Sequence, residues 1–251
     1  MKEIPLIPLD QHCFELAYIF FELRRRYTHE LLQHQASDWL NIAAGLQDIH
    51  FDSRRLYSIT SGGSIDIDHQ LYENARHKNK ALVFELIRFD LIWRGLECIE
   101  NTFRDSGPSG LESYMLRACK NIRNPDGYNM TFRKLKRLAR QHGVRFRSSG
   151  DRIGRPLEGL KLVSAVRPLF VHCAYAFPFS HQVRLDEGID PALIQHAARI
   201  VLLTMQKILL GIFAEREDRI ESWWHQNMRD HPVATHAMLR TMHLQHRSDQ
   251  I

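Results

Sequence analysis

Paired cysteines are missing from this chain. Its four cysteines, Cys13, Cys98, Cys119 and Cys173, are spread over 251 residues with no Cys-x-x-Cys pair, so a disulfide framework is not expected and reduced, packed thiols are. Long alternations of apolar and polar residues are missing too, which argues against a sheet. No internal repeat and no low-complexity tract occurs, so neither a solenoid nor a compositionally biased tail is indicated. A Gly-x-Ser-x-Gly elbow, a phosphate-binding P-loop and a dinucleotide fingerprint are likewise absent, which removes the usual signatures of serine hydrolases, nucleotide hydrolases and dehydrogenases.

Metal chemistry also lacks its spacing. Fifteen histidines invite that reading, but the run from His29 to His34 is one residue too long for the zinc-protease helix motif, so its imidazoles would diverge. Glu73 with His77 and Glu221 with His225 are four apart, the spacing of surface ion pairs. No duplicated Glu-x-x-His pattern of a di-iron bundle is found. No metal and no cofactor are expected. The most apolar stretch, Ile200 to Phe213, is interrupted by Gln206 and Lys207 and falls short of the roughly 20 residues that span a bilayer. Met1 to Leu9 carries two prolines and no long apolar run, so no secretory signal is seen and a cytoplasmic protein without membrane contact is expected.

What is present is ordinary in bulk and uneven in charge. Hydrophobic residues at 44% and charged ones at 25% are those of a folding globular chain. The net charge of +5 is concentrated. Between Arg117 and Arg155 twelve Lys or Arg stand against Asp126 and Asp151, a net +10, which leaves the rest of the chain at −5.

Apolar periodicity is helical nearly throughout. Phe14, Ala17, Tyr18, Phe21, Leu31 and Leu32 mark a first helix over Asp10 to His34, and Ser37-Asp38 looks like the N-cap of a second, running through Leu46. Tyr57 to Ile67, around Ser61-Gly62-Gly63-Ser64, reads as a turn or short hairpin. From Asp68 to Phe103 there is no proline, and Gly95 is the one glycine, so a long core helix is expected. A shorter helix follows from Leu111 to Lys120, and Asn124-Pro125-Asp126-Gly127 has the composition of a turn. Thr131 is placed to cap a basic helix ending at His142, with Gly143 where a left-handed cap belongs. Leu160, Val163, Val166, Phe170, Cys173, Ala174 and Phe177 lie three or four apart, one helical face from Leu157 to Phe177, in which Pro168 forces a kink or a helix start near Arg167. Asp190-Pro191 reads as cap and first turn of a helix to about Arg216. Glu217 to Met228 extends it, His231-Pro232 breaks it, and a short helix to about His246 closes the chain.

Arg167 and His172 stand out within the apolar segment 160 to 175. Their spacing alone is common here, since Arg24 with His29 and Arg137 with His142 share it; the apolar helical setting distinguishes them. That segment resembles the penultimate helix of the HEPN superfamily, in which an apolar helix carries Arg, then four to six residues, then His. The order of a long helix, an insertion, this helix and an apolar closing helix is similar as well, over about residues 68 to 216. The chain departs from the pattern at Pro168, where active members carry a polar residue.

The resemblance implies an all-α helical bundle of HEPN type, here with an N-terminal helical extension over 1–67, the bundle over 68–216 with its basic insertion at 117–155, and a C-terminal helical tail over 217–251. It implies metal-independent RNA cleavage at the cleft of a homodimer, with Arg167 and His172 from each protomer, and a toxin or antiphage role with an antitoxin or other protein partner. The chemistry is simple: imidazole near its ordinary pKa of about 6.5 can take the 2′-hydroxyl proton, while a guanidinium holds the phosphate.

Independently of the resemblance, Arg133, Lys134, Lys136, Arg137 and Arg140, with Arg145 and Arg147, form a basic segment suited to steering RNA, with Phe132 and Phe146 placed to stack on bases. Two function classes stay open: a ribonuclease, and a non-catalytic helical adaptor that binds RNA or docks a protein through its basic segment and Trp223-Trp224.

Overall fold

The computed structural model describes residues 5–26, 35–49, 69–105, 111–112, 115, 119, 122–146, 157–171, 190–213, 219–220, 233–234 and 239–245. Its helices are α1 (Leu9–Arg26), α2 (Ala36–Gly45), α3 (His69–Asp105), α4 (Tyr128–Gln141), α5 (Glu158–Val171) and α6 (Pro191–Phe213), followed by a two-residue antiparallel pair, β1 (Arg219–Ile220) with β2 (Val233–Ala234). The protein is all-α. The long proline-free segment forms the 37-residue α3, as its broad apolar face requires.

Helix α6 is the axis. Its 23 residues exceed the apolar stretch Ile200 to Phe213, and by length and composition it could cross a membrane, but it is sheathed by α1, α3, α4 and α5. Every residue from Ala197 to Leu210 is buried. A helix apolar around its whole circumference needs neighbours on all sides, and each fully buried Leu or Ile is worth about 1.5–3 kcal/mol. Asp190 caps it as expected: Oδ1 accepts from the Ala192 N–H at 2.8 Å. Helix α2 packs on α1 and α3, where the Arg88 guanidinium donates to the Leu46 carbonyl at 2.8 Å and lies 3.6 Å from Glu85, which accepts from Gln195 of α6.

Four local expectations are corrected. The residue before α2 is Gln35, without a side-chain cap bond, and Ser37 is buried inside the helix. Helix α4 starts at Tyr128, a turn before Thr131, because Gly127 takes the left-handed conformation (φ +83°) there and its carbonyl accepts the Thr131 N–H at 2.9 Å. Pro168 sits inside a continuous α5, so no helix starts at Arg167. Pro168 and Ser164 are both exposed, which puts the carbonyl deprived of its N–H donor on the solvent side. At Arg219 and Ile220 the chain is extended, where a continued helix was expected; β-branched Ile and Val favour that form when a paired backbone is present. Of the expected C-terminal helix, residues 239–241 are described and are helical. The turn around 57–67, Trp223-Trp224 and residues 172–177 lie outside the described residues.

The axis carries polar groups into the core, and these tie both ends of the chain to it. Arg199 donates to His12 Nδ1 at 2.8 Å and to the Ile7 carbonyl at 2.7 Å. His12 Nε2 bonds Gln206 Oε1 at 2.7 Å, while the Gln206 amide donates to the Leu239 carbonyl at 2.8 Å and to His243 Nδ1 at 3.1 Å. His243 Nε2 donates to the Asp126 carbonyl. A guanidinium only donates, so one proton arrangement satisfies the chain: both imidazoles neutral, each protonated at Nε2. Beside it Ile7 N–H donates to the His243 carbonyl and Gln245 N–H to the Pro5 carbonyl, each at 3.1 Å, with Leu6 and Leu244 bridged antiparallel. Burial holds the His12 pKa well below its ordinary value, helped by Arg199 and His243. Burial brings His243 down to about 4, against the opposing bond to Asp126. Lys207, also on α6, is buried and donates to Asn124 Oδ1; burial lowers its pKa.

Helices α4, α5 and α6 meet at Gly159. A Cβ there would lie 2.1 Å from Tyr128 Oη and 2.8 Å from Ile200 Cγ2, so Gly159→Ala is expected to destabilise by about 1–3 kcal/mol. Gly45→Ala, with nothing within 4 Å of the added carbon, should be neutral or stabilising by up to about 1 kcal/mol. Urea midpoints of the two variants check this, and equal midpoints would refute the close approach.

The histidine chain sets a pH dependence. The native pKa of each imidazole lies below the unfolded value of about 6.5, so between that pH and the native value, about 4 for His243, the unfolded state binds protons that the native state refuses. Stability is then full above about pH 6.5 and falls with acid by about 1.4 kcal/mol per pH unit for each such imidazole. Urea unfolding from pH 7.5 down to about 4.5 measures the slope.

Candidate functional site

Arg167 projects from the half of α5 that packs toward α3. Leu162, Val163, Val166 and Phe170 are the buried face of α5, and Arg167 follows Val166 at the edge of that face, half-buried. Its guanidinium carbon lies 4.7 Å from the centre of the Trp93 ring. Trp93 is held in turn: its Nε1–H donates to Glu97 Oε1 at 2.8 Å, one turn along α3. Phe89 stacks on it at 5.9 Å, and Phe170 meets Phe89 edge-on at 5.0 Å. A row of three aromatic rings therefore ends under a guanidinium.

Among the described residues that guanidinium has no other partner. Arg167 Nε is sealed from solvent without a hydrogen-bond partner, whereas the terminal Nη atoms are not sealed in that way. Among the described residues no carboxylate forms an ion pair with Arg167. A cation–π contact uses the face of the guanidinium and leaves its in-plane donors for an acceptor such as a phosphate or carboxylate oxygen. His172, the second residue of the expected pair, lies outside the described residues.

The basic segment is built differently. Tyr128, Thr131, Phe132, Leu135 and Ala139 are the buried face of α4, which turns Arg133, Arg137 and Arg140 to solvent, with Lys134 and Lys136 half-buried beside them. The helix contains no Asp or Glu. Gly143 then adopts φ +76°, and Val144 N–H reaches back to the Ala139 carbonyl at 2.9 Å while Gly143 N–H bonds the Arg140 carbonyl at 3.1 Å, a left-handed helix stop of the kind glycine permits. Phe146 folds back edge-on to Phe132 at 6.4 Å, leaving Arg145 exposed between them along the chain. Phe132 is 2% exposed, so the expectation that it stacks on bases is withdrawn: it is a core residue. Arg147 lies outside the described residues.

His196, which sequence reasoning passed over, lies on α6 next to this helix. It is half-buried, and its pKa is lowered by burial first, then by Lys134 and Arg199, with Asp190 opposing and Arg137 adding to the lowering. The available signal was a polar position in the first two turns of an otherwise apolar helix. Among the described residues no group of three His, Cys, Asp or Glu is placed to hold a metal ion. Cys13 and Cys119 are buried, with thiols pushed up to about 12 and about 11 by burial, so neither is a ready nucleophile. Compared with family models, with curated proteins and with solved structures, the chain matches none.

The electrostatic link between α4 and His196 is open to measurement. In an NMR titration His196 should deprotonate below about pH 6.5, and replacing Lys134 and Arg137 by Met should raise its pKa, since two cations that disfavour imidazolium are gone while burial persists. An unchanged midpoint in the double variant would separate His196 from the basic helix.

Proposed function

We propose that this protein binds RNA and cleaves it without metal, as an endoribonuclease of the HEPN type. The observation that carries the reading is Arg167: a half-buried guanidinium, stacked by its face on Trp93 and, among the described residues, without an ion pair or hydrogen bond at its edge. The face of the guanidinium is covered by the ring, and its terminal N–H donors are left to bind an anionic ligand in the guanidinium plane. The exposed Arg133, Arg137 and Arg140 of a helix without Asp or Glu, with exposed Arg145 after it, supply sequence-independent attraction for a polyanion.

In this reading His172 accepts the proton of a ribose 2′-hydroxyl as that oxygen attacks phosphorus. The bond from phosphorus to the 5′-oxygen breaks, and the leaving oxygen takes up a proton, giving a cyclic 2′,3′-phosphate and a 5′-hydroxyl end. Arg167 holds the non-bridging oxygens while negative charge builds on them. The family resemblance adds a homodimer that brings two such pairs to one cleft, and a toxin or antiphage role with an antitoxin partner.

A second reading is favoured by Pro168. It follows Arg167 on the exposed side of α5, at the position where active HEPN members carry a polar side chain, and it fits a protein that holds RNA or a partner protein without cutting.

The two readings separate in one assay on fluorescent single-stranded RNA, with and without chelator. Chelator-insensitive cleavage by the wild type, lost in Arg167→Ala and His172→Ala by at least about 100-fold, supports the nuclease. The Arg133→Ala, Arg137→Ala, Arg140→Ala triple variant should bind the same RNA more weakly and flatten the log–log salt dependence by about 2, at roughly 0.7 per lost phosphate contact. Wild-type affinity and slope in that variant would sink the RNA reading.

A further inference from the structure

The stacked pair of Arg167 and Trp93 carries one more step, which rests on the reading that Arg167 engages a phosphodiester. We infer that Trp93 is a positioning residue: with Glu97 anchoring its indole, it fixes the plane of the Arg167 guanidinium so that the terminal nitrogens meet the phosphate end-on.

Arginine has four flexible side-chain torsions, and a phosphate recruits it most effectively when these are already restrained. Here the restraint comes from three sides. The Trp93 ring covers one face of the guanidinium, 4.7 Å from ring centre to carbon. Phe89 backs that ring. The Nε1–H bond to Glu97, at 2.8 Å and within the same helix, stops the indole from turning away. Because Nε of Arg167 is sealed from solvent, the side-on approach that pairs Nε with one Nη is closed, and the two Nη donors form the edge presented outward. Nothing in core packing alone requires a tryptophan whose N–H is tied to a carboxylate at this place. A leucine would fill apolar space, but it offers neither the ring quadrupole nor the polar anchor.

The test is a double-variant cycle read on two quantities: the dissociation constant for a 2′-O-methyl RNA oligonucleotide, which cannot be cleaved, and the cleavage rate of the unmodified oligonucleotide. Trp93→Leu is expected to weaken at least one of these by about 3- to 30-fold, the range of a cation–π contact. Trp93→Leu combined with Arg167→Ala should be no worse than Arg167→Ala alone. Trp93→Phe, which keeps an aromatic face, should recover most of the loss, and Glu97→Leu, which frees the indole, should give a milder loss. Thermal melting of each variant fixes a working temperature at which all are folded, and Glu97→Leu carries the test if Trp93→Leu does not fold. Losses that multiply in the double variant, or wild-type behaviour in both Trp93→Leu and Glu97→Leu, would overturn the positioning role while leaving Arg167 as the phosphate ligand. Wild-type behaviour of Arg167→Ala in both quantities would instead remove the reading beneath it, and this inference with it.

Discussion

Burial of the cation Arg199 on the central helix is the constraint around which the described structure is arranged. A buried arginine, 8% exposed as a residue, has to be given acceptors, and it takes one from an imidazole and one from a backbone carbonyl, both near the start of the chain. With one face of His12 committed, Gln206 becomes its acceptor, and Gln206 in turn must place its amide protons on Leu239 and His243. Each donor determines the next acceptor, until the chain of bonds ends on the Asp126 carbonyl in the turn before α4. Burial lowers the pKa of Arg199 to about 10, which still leaves it charged near neutrality. Charge and hydrogen bonds together hold α1, the α4 turn and the C-terminal segment on the axis.

That arrangement decides what the outer helices present. Since α4 is fixed by its buried aromatic face and by the turn at Gly127, its exposed arginines lie on one side of the helix. Since α5 meets α6 at Gly159 and α3 at Phe170, Arg167 reaches the Trp93 ring. The two cationic features therefore differ in kind. One is an exposed, screened surface charge suited to long-range attraction, and the other a guanidinium stacked on a ring and suited to a single oxyanion.

Much of the helical framework was legible because helix formation is a local pattern. Three- and four-residue spacing of apolar side chains marked α3, α5 and α6, Asp190 marked the start of α6, and Gly143 marked the end of α4. Errors fell where several residues compete for one local role. Ser37 and Thr131 have good capping chemistry, yet those helices start earlier, at Ala36 after Gln35 and at Tyr128 after the left-handed Gly127, with Ser37 and Thr131 buried inside them. Phe132 was taken for a surface platform because it stands among basic residues, but its position three or four from Tyr128 and Leu135 puts it in the core. The extended pair at Ile220 and Val233 was missed because two-residue strands carry too little alternation to be read.

By itself, the sequence determined that this protein is all-α, that its most apolar helix lies inside, and that its positive charge is concentrated between Arg117 and Arg155. Those properties follow from composition and from periods of three to four residues, which neighbours along the chain express. Only the tertiary structure decided which polar residues become partners. His12 meets Arg199 and Gln206 across 187 and 194 positions, and Arg167 meets Trp93 from another helix. Such pairs depend on how whole helices are rotated against one another, a quantity set by the sum of all packed side chains rather than by any residue or its near neighbours.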